Sequence, residues 1–111
     1  MSDTRDRLLW LLKIDHGFAL EVPFRGLSGK RRFRFDAALP ERKIAVEYQG
    51  IGPGHAWADQ QVVDHEKASE AVLCGWTLIV CDAESVNSGR CVEYVEGALR
   101  GGAGWASRAS S

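Results

Sequence analysis

Two carboxylates and an amide, Asp36, Glu47 and Gln49, stand close together in this chain in a pattern suited to binding a cation and orienting water. They lie in RRFRFDAALPERKIAVEYQ, residues 31–49, which reads as two short strands. Successive strand residues point to opposite faces. Arg32, Arg34, Asp36 and Ala38 therefore share one face of the first strand, and Arg31, Phe33, Phe35 and Ala37 the other. On the second strand Lys43, Ala45, Glu47 and Gln49 oppose Ile44, Val46 and Tyr48. The link Leu39-Pro40-Glu41-Arg42 suits a hairpin, because Pro presets φ for a turn and hairpin loops of about two to five residues are the norm. With the phenylalanines and Ile44, Val46 and Tyr48 as the buried faces, Asp36 and Glu47 project together. Two such carboxylates repel, and each raises the other's pKa unless a cation lies between them. Mg²⁺ is suited to that place: it takes oxygen ligands, keeps several waters and uses about one or two protein carboxylates beside phosphate oxygens. The carbonyl of Tyr48 or Gln49 offers a further oxygen. From spacing alone, a solvated strand face with scattered charges is the competing reading.

An Asp ending one strand, followed after a short turn by a Glu-x-Gln triplet on the next, resembles the PD-(D/E)xK nuclease superfamily. The run GFALEVPFRGLSGKRRFRFDAALPERKIAVEYQG is similar in layout to small Holliday junction resolvases and to phage-encoded or very-short-patch-repair-like endonucleases, and the likeness extends from about Arg5 to Leu99. It implies that Asp36 and Glu47 are metal ligands for Mg²⁺, with Mn²⁺ able to substitute. Gln49 stands where the family usually has a lysine that orients the attacking water and offsets phosphate charge. A neutral amide can orient water but supplies no charge. Some relatives take that lysine from the following helix, and this chain offers Lys67.

The elements that must position these residues follow from periodicity and breakers. A helix is predicted from about Asp3 to Ile14, with Leu8, Leu9, Leu11 and Leu12 at helical spacing, Asp3 and Asp6 at its N-terminal end, and His16-Gly17 as its stop. Phe18 to Phe24 reads as a strand whose Pro23 marks an edge. After the hairpin, GIGPGHAWADQQ opens a glycine-rich loop leading into a helix capped near Asp59, which runs to about Cys74 and stops at Gly75. WTLIVC, residues 76–81, reads as a fully buried strand. A last helix spans about Ser88 to Leu99, and residues 101–111 read as a flexible tail. Helix, three strands, helix, strand, helix is an α/β order that gives a mixed sheet flanked by helices. It matches the αβββαβ restriction-endonuclease-like core that the resemblance implies, although other small α/β folds share it.

The second helix carries its own signal. At about 100° per residue, Val62, Val63, Leu73 and Cys74 fall in one arc that also holds Glu66 and Glu70, with Lys67 at its edge. Charges in an apolar stripe are unexpected, since burying one unpaired is costly. Either they form an ion pair within the helix or to the sheet, or Glu66 and Lys67 reach a polar site beneath. Lys67 approaching Asp36, Glu47 and Gln49 would replace the missing lysine.

With 111 residues, 45% hydrophobic and 26% charged, the chain has the size of one domain, read as residues 1–100. No apolar run approaches the roughly 18 to 20 residues of a membrane span, and the start lacks a signal-peptide pattern, so a cytoplasmic location in a bacterial or phage-infected cell is expected. Cys74, Cys81 and Cys91 are odd in number and lack metal-binding spacing, so neither disulfides nor zinc is expected and core positions are. The net charge is −1, but residues 1–43 hold ten Lys/Arg against six Asp/Glu and residues 44–111 four against nine. Lys30, Arg31, Arg32 and Arg34 form a basic cluster beside Asp36, which attracts phosphate or else is a solvated edge. His55, in the glycine-rich loop, could meet a scissile phosphate or be an exposed loop residue, and Trp57 beside it could contact a base. His65 reads as solvent-facing, Trp10 and Trp76 as core, and Glu21, Glu66 and Asp6 as secondary candidates for a further carboxylate.

Together these features and the resemblance point to a DNA phosphodiester hydrolase acting on structured DNA, with a homodimer placing two sites on two strands. The alternative is a catalytically reduced nuclease-fold module that binds DNA or a protein.

Overall fold

The computed structural model describes residues 3–27, 29, 32–50 and 65–101. Lys30, Arg31, His55, Trp57 and the tail after residue 101 lie outside the described residues. The elements are α1 (Asp3–His16), β1 (Ala19–Arg25), β2 (Arg32–Leu39), β3 (Ile44–Tyr48), α2 (His65–Leu73), β4 (Thr77–Cys81), α3 (Ala83–Ser88) and α4 (Arg90–Leu99). The four strands form one sheet in the order β1-β2-β3-β4. β1, β2 and β3 run antiparallel, whereas β4 runs parallel to β3 because α2 intervenes. The architecture is α/β, with a four-stranded mixed sheet covered by helices.

Both faces of the sheet are packed. On one, Leu8, Leu9 and Leu12 of α1 and Cys91 and Val95 of α4 bury Ala37, Ile44, Val46 and Tyr48. On the other, Phe24, Phe33, Phe35, Ala38 and Ala45 pack against Ala71 of α2 and against Trp76. The rings of Phe24 and Phe35 stack with centroids 4.3 Å apart, and Trp76 tilts onto Phe35 at 4.7 Å. The phenylalanines and the Ile44/Val46/Tyr48 row therefore face opposite layers, and β3 is buried on both sides, correcting the expectation of a single apolar face.

Strict alternation also fails within β2. Phe35 and Ala38 belong to the α2-side core and Ala37 to the α1-side core, so the faces slip by one residue at Asp36. The β1–β2 ladder pairs Val22 with Phe35 and Leu20 with Ala37, skipping Glu21 and Asp36 between them. Glu21 has φ 56°, a left-handed conformation uncommon for a residue with a side chain.

Two basic residues of the β2–β3 turn lock the layers to the sheet. Arg42 donates to the Leu99 carbonyl at 2.6 Å and Lys43 to the Cys74 carbonyl at 2.9 Å. Each caps the C-terminal end of a helix, where unsatisfied carbonyls favour a cation, one on each face. The last helix is split: Gly89, at φ 86°, ends α3, whose start is fixed by a reciprocal cap between Asp82 and Ser85. The Ser85 backbone N–H holds the Asp82 carboxyl below its usual range.

Three further expectations are overturned. β4 is an edge strand with one neighbour, and Val80 is 46% exposed rather than buried. Trp10 is 66% exposed, because α1 turns Leu8, Leu9 and Leu12 inward and leaves it on the far side. Cys81 and Cys91 form a disulfide, their Cα atoms 5.9 Å apart. An odd cysteine count carries no information on distance, and the short α3 folds the start of α4 back onto the end of β4. Cys74 is free and half-buried.

A bond closing so short a loop, with a sequence separation of 10, contributes about 2–3 kcal/mol in the chain-entropy picture. Cys91→Ala is expected to lower the unfolding free energy by about that amount in denaturant titration. Added reductant should reproduce the loss in the parent protein and not in the variant.

Candidate functional site

The β2–β3 ladder pairs Leu39 with Ile44, Ala38 with Ala45 and Ala37 with Val46, and then stops. Continued by one residue, that register sets Asp36 opposite Glu47. Like charges opposed across strands are destabilising, and the two strands part at this point. The carboxylates themselves take over the ladder. Asp36 Oδ2 accepts the Tyr48 backbone N–H at 2.8 Å, and Glu47 Oε1 accepts the Asp36 backbone N–H at 3.2 Å.

Each carboxylate is also met by a cation from a different layer. Lys67 of α2 brings Nζ to 2.5 Å from Glu47 Oε1, and both side chains are largely buried at 15% and 7% exposure. The same ammonium lies 5.8 Å from the centre of the Phe35 ring, within cation–π range. From the other layer, Arg5 of α1 donates from Nη2 to Asp36 Oδ1 at 3.1 Å, with side chains 24% and 21% exposed. Two anions and two cations thus form one compact cluster.

Glu47 is buried, and burial raises its pKa above the usual 4.5; the Lys67 ammonium pulls it back down and the Asp36 charge pushes it up. Burial outweighs the ion pair, the expected order when a carboxylate leaves water.

The rotation of α2 explains how Lys67 arrives. Ala71 is its buried residue, and Lys67 stands one turn before it on the same side. Val72 and Leu73 are 60% and 67% exposed, so the inward face centres on Lys67 and Ala71, not on the arc containing Leu73. Glu66 is exposed. Glu70 instead reaches the β1–β2 loop, accepting the Leu27 N–H at 2.8 Å. A side chain at the adjacent Gly26 would put its Cβ 2.0 Å from Glu70 Oε1, so the Glu70 carboxylate would have to shift and its contact with the loop would be disturbed.

The remaining candidates are distributed as follows. Gln49 follows β3, half-buried, its backbone N–H donating to the Cys81 carbonyl at 2.7 Å. Arg32 and Arg34 are exposed on β2. Arg25 stands opposite Arg32 in the hairpin register, and with Pro23 and Phe24 the two line a hollow of about 300 Å³. Glu21 is exposed and lies 3.7 Å from Arg34 rather than at the carboxylate pair. Asp6 and His65 are exposed. Among the described residues, no group of three or more His, Cys, Asp or Glu side chains is gathered to hold a metal; the acidic donors at this point are Asp36 and Glu47.

Sequence reading missed Arg5. Its signal was present, since positions 5, 8, 9 and 12 make one helical stripe and Arg5 is the charged member.

No known protein family, curated protein or solved structure gives a significant match to the chain, so its chemistry has to be read from these atoms.

Because the folded state raises the Glu47 pKa, it binds more protons than the unfolded state just above pH 4.5. Stability from this group is therefore present at low pH and is lost as pH rises through the folded value. Comparing denaturation midpoints of the parent and Glu47→Gln across that window should show the parent losing ground as pH rises. Lys67→Ala removes the compensating ammonium; it is expected to cost about 3 kcal/mol at neutral pH, with the loss shrinking in acid.

Proposed function

We propose that the protein is a Mg²⁺-dependent endodeoxyribonuclease of the PD-(D/E)xK, restriction-endonuclease-like superfamily, acting on structured DNA in the manner of a small Holliday junction resolvase. One observation carries this: two carboxylates opposed across β2 and β3, with a lysine from the next helix at 2.5 Å from one of them. It supports Lys67 as the substitute for the lysine that Gln49 replaces.

The donor set is compatible with the metal. Asp36 and Glu47 are hard oxygen donors, and two protein carboxylates suffice for Mg²⁺ or Mn²⁺. Glu47 meets Lys67 and the Asp36 N–H through Oε1. When bound, such a cation lowers the pKa of a water and offsets charge on a phosphate. The remaining tasks fall to the chain. Lys67 offsets negative charge developing on the phosphate. Gln49 orients water through its amide. Arg32 and Arg34, with Arg25 across the hairpin, draw the DNA backbone toward a site that is itself acidic; Lys30, Arg31 and His55 are assigned to the same DNA contact. A homodimer suits a two-stranded target.

Among the described residues no helix is long and apolar enough to cross a membrane. DNA in the cytoplasm is the partner and location implied, although the Cys81–Cys91 disulfide is of a kind that oxidising compartments favour.

A second reading is favoured by the internal charge balance: Arg5 and Lys67 already neutralise both carboxylates. A nuclease-fold module that has lost catalysis and binds DNA or a protein would need no more than this.

Incubation with Mg²⁺ or Mn²⁺ and a panel of four-way junction, flap, single-stranded and duplex DNA separates the two. The nuclease cleaves at least one of them, and Asp36→Ala lowers that rate about 10²-fold or more while leaving DNA binding intact. Retained binding without cleavage of any substrate favours the second reading. Arg32→Ala with Arg34→Ala is expected to weaken DNA binding whatever its sequence and to flatten the slope of log K against log salt by about 2.

A further inference from the structure

We infer that Arg5 holds the place of the metal at Asp36 and surrenders it when a divalent cation binds, making metal loading and release of this guanidinium one event. The inference rests on the metal-dependent reading above and adds to it a residue and a sequence of occupancy.

Both oxygens of Asp36 are engaged, Oδ2 by the Tyr48 N–H and Oδ1 by Arg5. Each carboxylate oxygen has room for a second contact, so charge drives the exchange: a dication and a guanidinium held by the same carboxylate repel one another. The Tyr48 N–H is part of the backbone of a strand buried on both faces and has no freedom to leave. Arg5 is a long side chain, and its guanidinium meets Asp36 from Nη2 to Oδ1 at 3.1 Å. Its 24% exposure lets solvent, and so a hydrated cation, reach the pair. The Lys67–Glu47 pair, at 15% and 7%, is more enclosed.

Charge drives the exchange in the same direction. Asp36, Glu47, Arg5 and Lys67 sum to zero, and a dication entering beside a retained guanidinium would meet direct repulsion. Leu8, Leu9 and Leu12 anchor α1 in the core, so only the side chain moves. Once freed, the guanidinium stays beside the site as a fork suited to phosphate oxygens. The loaded site changes from neutral to a surplus of two positive charges.

Displacement subtracts the Arg5–Asp36 interaction from the free energy of metal binding, and removing Arg5 abolishes that subtraction. Calorimetric titration with Mn²⁺ in the absence of DNA is therefore expected to show Arg5→Ala and Arg5→Gln binding about fivefold or more tightly than the parent, with thermal melts confirming the fold. A scaffolding arginine predicts the opposite sign, since its loss would loosen Asp36 and weaken the metal. Unchanged or weaker Mn²⁺ binding by a folded variant overturns the inference while leaving the nuclease reading intact. Should neither variant fold, the Arg5 Nε–Hε resonance of the parent decides. A shift on saturation with Mg²⁺ supports release, and an unmoved resonance overturns it. Failure of the parent and both variants to bind Mn²⁺ removes the metal-dependent reading, and the inference with it.

Discussion

A carboxylate taken out of water in the middle of a sheet costs several kcal/mol unless charge and hydrogen bonds reach it, and Glu47 occupies that position on β3. β3 has neighbours on both edges and cores on both faces, and Glu47 is held away from bulk solvent. The cation must therefore come to it. That requirement fixes the rotation of α2: Lys67 and Ala71 face the sheet, and Val72 and Leu73 are left outside. Once α2 is so turned, Glu70 falls at the β1–β2 loop, against Gly26 and the Leu27 N–H. Lys43 finishes the arrangement by capping the far end of the same helix. A buried charge thereby specifies the orientation of a helix whose apolar residues alone would have turned it otherwise.

Asp36 imposes the complementary constraint. Directly opposite Glu47, it cannot continue an ordinary ladder, and the strands open so that side-chain oxygens receive the backbone N–H groups that carbonyls would have taken. The opening is accommodated by the slip of faces at Asp36 and by the left-handed Glu21 across from it. Strain of this type is retained where the surrounding structure over-determines it. Here two cores and two ion pairs do so, with Arg5 arriving from the α1 layer and Lys67 from the α2 layer. The site is accordingly the point where both halves of the molecule are tied to the sheet.

The element order, the hairpin and the approach of Asp36 to Glu47 were legible in the sequence because strand alternation and turn chemistry are local. Lys67 was legible as a lysine on the helix that follows a site lacking one, although the apolar arc expected beside it turns outward at Leu73. What escaped depended on three-dimensional proximity. The Cys81–Cys91 bond needs the fold of α3 to bring its ends together, and no spacing rule reports it. Alternation broke at Asp36 because the carboxylate competes with carbonyls for the backbone, an effect that a two-residue period does not contain. Trp10 was misjudged through its hydrophobicity, whereas the phase of Leu8, Leu9 and Leu12 leaves it facing away. Arg42 and Lys43 show that basic excess does not map simply onto a phosphate-binding surface. Both contribute to the positive N-terminal part of the chain, yet both are engaged as helix caps.

The glutamine at 49 also becomes intelligible from the balance of charge. Position 49 is half-buried just after β3, two residues beyond Glu47, whose carboxylate and that of Asp36 are already matched by two cations from the flanking helices. A lysine there would add a third cation to a site with no third anion among the described residues. That added charge would have to be desolvated without a partner, which is the costly half of a buried ion pair. An amide avoids this, since it donates and accepts hydrogen bonds in the same space without altering the sum. The cation is then supplied by α2, where Lys67 can pair with Glu47 in the resting protein and still lie next to any phosphate that Asp36 and Glu47 receive. On this account Gln49 follows from where the helices place their charges, and need not signal that the site has lost a function.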